Sequence, residues 1–530
     1  PVGSDSITTC GGSRGIASER PELLTGDSRR LGSAAGSPFR GGWRMKGAEG
    51  LFGRFLSIFS ARLATTVIAV LSTPVIVRLL GPGNYGDYAV FLSIFTLYMI
   101  PISSGITEGV QKFVAESRET EHWRERVLRF YTVLAAFTVG VGAVVLVIIT
   151  ALGVPAWGFG DEFTLYFYLL AGFILVAQFR ALSYHTILGF GLEPISESLN
   201  VLRKFGTVSI GILFVVVGFG VAGMIFAHII TNLVITCIAG YVVLRRISVP
   251  ELLSNSVRSV PVRELLSFNA LNIVLVLLLM SLYHVDIVML RGITGSETTG
   301  FYKAALQLAE YLWIVPIALQ LLLLHSSAAL WSENRTAEIT DLSTRITRYS
   351  VLLVTLMAIG VAVLADRFVP IYYGSEFTAA VGPLLLLLPG AVGFAIARPL
   401  QAISQGSGRL KTLIIATGAG AGMNLVLNAL LIPVYGMYGA AAATSFSYGS
   451  MFVLYVWAAR QIGYDPLQDF RGLRIAVVVA VVAPVLYVVE GAIASDLLAF
   501  AVVPPFGALV FLVVALAVGA VDRAEIRTII

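Results

Sequence analysis

The sequence predicts an all-α polytopic membrane protein with about 14 transmembrane helices. It orders them as two six-helix lobes in parallel pseudo-repeat, followed by two extra C-terminal helices. Three observations lead there. Of 530 residues, 57% are hydrophobic and 13% are charged, and the mean hydropathy is +0.86. A soluble domain carries roughly 25% charged residues, so this chain cannot cover a water-facing surface. Disorder needs the opposite balance of low hydrophobicity and high charge. Apolar runs long enough to cross ~30 Å of hydrocarbon recur from Met45 onward. Finally, glycine motifs of the first half return in the second at a nearly constant offset.

Residues 1–44 stand apart. They are rich in Gly, Ser and Arg, show no apolar periodicity, and read as a disordered leader or upstream translation. They lack the apolar core of a cleavable signal peptide. From Met45, candidate spans fall near 55–80, 85–107, 127–151, 164–184, 203–220 and 222–244, an N-lobe covering 45–244. A cytoplasmic linker is expected at 245–265. The C-lobe, 266–459, holds runs near 266–290, 301–325, 349–368, 380–400, 412–432 and 438–459. Residues 460–530 carry two more, near 474–490 and 498–520, and a cytoplasmic tail. Pro74, Pro101, Pro316 and Pro389 lie inside runs, as membrane helices tolerate.

Loop charge sets the orientation. Lys112, Arg118, Arg124, Arg126 and Arg129, then Arg203 and Lys204, then Arg245, Arg246, Arg258 and Arg263 fall in connections of one side. Arg335, Arg345, Arg348, Arg409, Lys411, Arg460, Arg471, Arg474, Arg523 and Arg527 continue the same set, whereas the other side offers Arg78, Arg291, Lys303 and Arg367. Positive residues stay inside, so both termini are expected in the cytoplasm, with the protein multi-pass in the cell membrane. The net charge of +5 then reflects contact with anionic membrane lipids rather than nucleic acid. Cys10 and Cys237 make no framework, and five scattered histidines show no ligand spacing, so no metal or cofactor site is expected.

The repeat is specific in its spacing. Gly300 of LRGITGSETTGFYKAA follows Gly86 of LLGPGNYGDYAV by 214 positions. Gly436 of YGMYG follows Gly220 of FGVAG by 216, and Gly408 of GSG follows Gly191 of GFG by 217. Tight turns explain each glycine but not the shared offset. Six spans return the chain to its starting side, so the lobes share an orientation and relate by an axis along the membrane normal.

These residues carry a resemblance. RLLGPGNYGDYAV (78–90), VDIVMLRGITGSETTGFYKAALQL (285–308) and NLVLNALLIPVYGMYGAAAATSFSY (424–448) resemble the polysaccharide transport family of Wzx-like, lipid-linked oligosaccharide flippases. That family lies within the multidrug/oligosaccharidyl-lipid/polysaccharide superfamily, and the resemblance runs from Met45 to the C-terminus. It implies a V of two lobes around a cavity, with alternating access. It also implies a substrate, a polyprenyl- or dolichyl-(pyro)phosphate-linked oligosaccharide moved from the cytoplasmic to the outer leaflet for surface polysaccharide or glycoprotein synthesis. Glycan-assembly enzymes would then be partners. The alternatives are a cation-coupled multidrug or small-solute exporter of the same superfamily, or an integral-membrane polymerase or ligase, for which the external loops are too short.

Charges inside the spans mark candidate sites, because each costs ~2.5–3.5 kcal/mol at the bilayer centre. Arg62 lies in the first span, Arg180 near the end of the fourth, and Arg398, 218 positions later, near the end of the tenth. All three are candidates for the anionic head group; in related lipid-II flippases an arginine matching Arg62 has that role. For Arg180 and Arg398 the competing reading is snorkelling to the interface. For Arg62 it is an internal pair with Glu108 or Asp87. Asp87, Asp286 and Glu310, with Asn269, Asn272, Asn424 and Asn428, form a second set that could line the cavity or hold a coupling cation, Na+ or H+. Against this stand solvated helix ends for the acids and interhelical hydrogen bonds for the amides. Tyr283, Tyr311, Trp313 and Trp331 read as an interfacial aromatic belt. No Walker-type loop or catalytic triad is present, so no enzymatic activity is expected.

Overall fold

The computed structural model describes residues 43–118, 121–254, 260–267 and 270–521. Two units are distinguished, Pro1–Gly53 and Arg54–Ile530, and the architecture below is that of the second. Residues 1–42 and Asn269 lie outside the described residues. The first half of the chain forms α1 (Trp43–Ala115), α2 (Trp123–Ala151), α3 (Val154–Phe159), α4 (Glu162–Gly189), α5 (Glu193–Val216) and α6 (Gly220–Leu244). Two short helices follow, α7 (Val249–Ser254) and α8 (Val262–Ser267). The second half forms α9 (Ala270–Thr294), α10 (Ser296–Glu310), α11 (Ile314–Ser332), α12 (Thr336–Tyr373), α13 (Val381–Gly406) and α14 (Leu410–Ile462), then α15 (Gly472–Gly491) and α16 (Asp496–Ala517). The described residues contain no strand.

Twelve helical stretches are long and apolar enough to cross a membrane. Two of them, Ser60–Ala115 and Leu410–Ile462, run for 56 and 53 residues. At 1.5 Å per residue each would be ~80 Å long, far more than one bilayer. Each is broken midway by a glycine outside helical geometry, Gly81 (φ 70°) in α1 and Gly436 (φ 56°) in α14. Each therefore has the length and the break of two crossings, which gives fourteen among the described residues.

The repeat is written into the backbone. Gly81 and Gly295 (φ 70° and 97°), Gly191 and Gly408 (both 72°), and Gly220 and Gly436 (51° and 56°) are left-handed pairs separated by 214, 217 and 216 positions. Only glycine enters that region without a β-carbon penalty, so each pair marks the same turn in both lobes. Gly295 is the counterpart of Gly81.

Three expectations need correction. The fifth span begins at Glu193, not 203, because Pro194 starts a helix well and Glu193 complements its N-terminal dipole. Arg203 and Lys204 are thus inside a membrane helix, not in a loop. The link expected at 326–348 shrinks to 333–335, since α11 and α12 extend into it. Arg345 and Arg348 therefore ride on α12, where Arg348 is buried and pairs with Asp469 at 2.5 Å. Trp313 and Tyr283 are also not belt residues, since they lie midway along their helical spans inside the C-lobe. The indole of Trp313 donates to the Ala391 carbonyl and that of Trp331 to Ile403, both at 2.9 Å, and Tyr283 packs against Trp313, Phe394 and Tyr448. Indole N–H groups inside a lobe need such acceptors.

Helices α2, α4, α5 and α6 pack into one lobe and α9 to α14 into the other. The α15–α16 hairpin lies on α12 and is held near both ends. Arg348 meets Asp469 at one end, and Arg367 meets Glu490 (2.5 Å) and Asp496 (3.2 Å) at the other. Outward-facing Phe137, Leu213 and Leu497 are largely exposed, as lipid-facing side chains are.

Candidate functional site

The face carrying the 116–122, 245–261, 333–335 and 463–471 connections is called the basic face here, the other the opposite face. The second half of α1 runs antiparallel beside α9, and polar pairs join them from end to end. Nearest the opposite face, Asp87 Oδ1 meets Arg291 Nε at 2.6 Å, and Arg291 also donates to the Phe159 carbonyl at 2.7 Å. His284 Nδ1 then meets Ser93 Oγ at 3.1 Å. Further on, Asn272 Nδ2 donates to both Glu108 oxygens at 3.1 and 3.0 Å. At the basic face Arg118 grips Glu264 through two nitrogens at 2.6 and 3.2 Å. Hydrogen bonds that it donates to Glu264 and Glu116 hold the Arg118 guanidinium charged well above its usual range.

At the opposite face the lobes meet backbone to backbone. A β-carbon on Gly86 would overlap the Ser296 carbonyl oxygen and stand 2.8 Å from the Gly300 nitrogen, and one on Gly300 would overlap the Pro82 carbonyl. These contacts are one contact seen twice, since Ser296 is 214 positions from Pro82 and Gly300 is 214 from Gly86. The repeated glycines therefore face each other across the pseudo-twofold axis. The first half of α1 also bonds to the C-lobe near this face. Arg78 donates to the Ile371 carbonyl, and Tyr372 donates to the Val70 carbonyl at 2.5 Å. Toward the basic face Leu63, Val67 and Leu71 of the same helix are exposed, Leu71 by 68%.

The C-lobe interior holds a polar cluster. Asp286 is fully buried and accepts from the Ile287 nitrogen (2.8 Å), the Thr444 hydroxyl (3.0 Å) and the Tyr302 hydroxyl. Asn424 Nδ2 reaches Thr444 at 3.4 Å, and Asn428 Nδ2 donates to the Asn424 carbonyl at 2.9 Å. Asn428 Oδ1 is buried with no donor. One carboxylate among amide and hydroxyl oxygens is a hard, singly charged set, suited to a small alkali cation or a proton rather than a transition metal. The orphaned oxygen fits such an occupant. Asp286 and Asn424 are thus brought together through Thr444, with Asn428 one turn further along α14, and Tyr302 and Thr444 join them without a spacing signal that would have named them. Asp87, Asn272 and Glu310 stand elsewhere, Glu310 beside Lys303 at 3.8 Å.

The candidate arginines part company. Arg62 is exposed on α1; its carbonyl accepts from Thr65 and Thr66 at 2.9 Å, and its guanidinium has no partner among the described residues. Glu108 and Asp87, its suggested partners, are engaged with Asn272 and Arg291. Arg398 is 9% exposed. Its guanidinium carbon sits 4.5 Å over the Trp313 ring and 4.9 Å over Phe394, with Tyr283 and Gln320 accepting at 3.2 and 3.4 Å. Arg180 is half-buried on α4, its Nε without an acceptor. It lies nine residues before Gly189, ~14 Å from the helix end, beyond an easy snorkel.

A model of the family described as "Polysaccharide biosynthesis protein" matches residues 53–318, half of the chain. The chain belongs to that family. Among relatives of this chain is the "Probable low-salt glycan biosynthesis flippase Agl15" of Haloferax volcanii, 23% identical over 405 residues, 76% of this chain and 81% of that protein. Another is the uncharacterized membrane protein MJ1068 of Methanocaldococcus jannaschii, 24% identical over 54% of this chain and 57% of its own. Among solved structures, the lipid II flippase MurJ in an inward closed conformation aligns with TM-score 0.71 at 14% identity, over 88% of this chain and 98% of that one. An inward-facing multidrug resistance MATE transporter of the MOP superfamily aligns with TM-score 0.63 at 15% identity, over 77% and 98%. Both likenesses are of fold.

Proposed function

We propose that this polysaccharide biosynthesis protein is a flippase that carries a polyprenyl- or dolichyl-(pyro)phosphate-linked oligosaccharide from the cytoplasmic to the outer leaflet of the cell membrane by alternating access. The basic face then lies in the cytoplasm by the positive-inside bias, and both termini with it. The observation that carries the reading is the sign of the unmatched charge within the membrane. Arg62, Arg180 and Arg398 have no carboxylate partner among the described residues. Of the acids, Asp87 and Glu310 are ion-paired, and Glu108 and Asp286 are held by neutral donors, so three cations without a carboxylate stand against two acids without a cation. A cationic-drug exporter needs the reverse imbalance. An anionic head group offsets the cost of a buried guanidinium through charge-assisted hydrogen bonds.

The wall that parts to admit the head is the first half of α1. Its contacts with the C-lobe gather near the opposite face, while the α1–α9 side is bonded throughout. The lipid tail stays in the bilayer as the head passes. The Asp286, Asn424 and Asn428 cluster takes the coupling cation, Na+ or H+. The test is outer-leaflet exposure of the lipid-linked sugar, normalised to folded protein. Arg62→Ala should reduce it strongly and Arg62→Lys less, since lysine keeps charge but loses the planar fork. Normal exposure in both variants removes α1 from head-group recognition.

A further inference from the structure

The N-lobe assembles three cations at one depth. Arg203 and Lys204 lie ten and eleven residues into α5 from Glu193, ~15 Å from its basic-face end. Arg180 sits at the same depth on the neighbouring α4. Arg203 acts through its charge on both Arg180 and Lys204, and both α5 cations act on His228 of α6. Like charges this close in a low-dielectric region repel strongly, so the fold holds them together against a cost.

Little in the protein relieves it. Arg203 donates to Asn200 at 3.1 Å, and the Nε atoms of both arginines are buried without acceptors. No ion pair joins any of the three to a carboxylate among the described residues. Glu197, six residues before Arg203 on α5, accepts from the Tyr184 hydroxyl at 2.8 Å, and Tyr184 lies in the field of both arginines. Crediting Glu197 in full against the three cations still leaves two positive charges unmatched near mid-membrane.

We infer that Arg180, Arg203 and Lys204 form a binding site for a head group with two negative charges close together at the lipid–sugar junction. Two sources share that chemistry, a diphosphate bridge or a single phosphate next to an acidic sugar. The inference rests on the flippase reading and sharpens it, because a singly charged phosphodiester leaves one cation unpaired. The orphaned guanidinium N–H groups and the ammonium are the donors, spread over two helices so that two anionic centres are spanned.

The test uses the full chain in neutral-lipid nanodiscs and three short-chain probes, farnesyl phosphoglucose, farnesyl diphosphoglucose and farnesyl phosphoglucuronate. Affinities come from native mass spectrometry. At least one dianionic probe should bind tenfold or more tighter than farnesyl phosphoglucose, and which one does so identifies the source of the second charge. Arg203→Gln and Lys204→Gln should each collapse that preference toward unity, and Arg203→Lys should restore part of it. Arg246→Gln, an exposed cation at the basic face, should leave it intact, and thermal melting confirms that each variant is folded. Equal affinity for all three probes, or a tenfold preference surviving in either folded Gln variant, overturns the inference. If the preference is present but vesicles show no translocation of the lipid-linked sugar, the flippase reading fails and the binding site stands.

Discussion

A disulfide placed across the opposite-face junction tests alternating access directly. A β-carbon on Gly83 would lie 3.9 Å from Ser296 Cβ, inside the ~3.5–4.5 Å range of native disulfides. Gly83 is helical and not among the left-handed glycines, so cysteine fits its backbone. With Cys10→Ser and Cys237→Ser removing the native thiols, the Gly83→Cys/Ser296→Cys pair should oxidise readily. The closed loop spans 213 residues, and loop entropy alone predicts stabilisation of about 5 kcal/mol against unfolding. More important is the geometric limit, because a disulfide holds its Cα atoms within ~7 Å. Opening at the opposite face must exceed that separation. Transport by reconstituted protein should therefore fall in proportion to the cross-linked fraction, approaching zero, and return when dithiothreitol is added. Undiminished transport by fully cross-linked protein would falsify the view that these lobes part at this junction.

Three further outcomes follow from the same geometry. Gly300→Ala forces its β-carbon into the Pro82 carbonyl, an overpacking that typically costs ~1–3 kcal/mol; opening the junction relieves it, so spin-label distances across the opposite face should lengthen, and an unchanged distribution counts against this. Asp286→Asn keeps the shape of the C-lobe cluster but removes its charge, so transport should slow several-fold and lose its Na+ or H+ dependence. Retained cation dependence would move the coupling site elsewhere. Arg471, then Arg348, hold the Asp469 carboxyl below its ordinary value of 3.8. Its contribution to stability is present above that value and lost as pH falls through the lower folded one, so the melting temperature of the wild type should drop more steeply there than that of Asp469→Asn.

The fold was legible because hydrophobic runs report span length and basic loops report sidedness, both direct consequences of the bilayer. Glycines at a common offset exposed the duplication, since a left-handed turn tolerates little else. Less was legible where a polar residue takes its meaning from a partner far along the chain. Asp286 reads as a helix end in sequence, yet Tyr302, 16 positions on, and Thr444, 158 on, enclose it. Arg203 and Lys204 resemble loop charges next to GLEPISES, and only recognising Pro194 as a helix start moves them into the membrane. Trp313 and Tyr283 look like belt aromatics because composition cannot say that an arginine, Arg398, needs their faces.

The meeting of Gly86 with Ser296 and of Gly300 with Pro82 has the form of an isologous contact, the kind two identical subunits make about a twofold axis. The chain is in this sense a homodimer whose halves share one polypeptide. One bond breaks the identity. Asp87 faces Arg291, but 214 positions away from each the sequence has Phe301 and Val77. A pair of N-lobes or a pair of C-lobes would lose this charge match, so it encodes which half belongs with which. The linker at 245–265 then supplies effective concentration, and separately made halves carry in that junction the information needed to find each other.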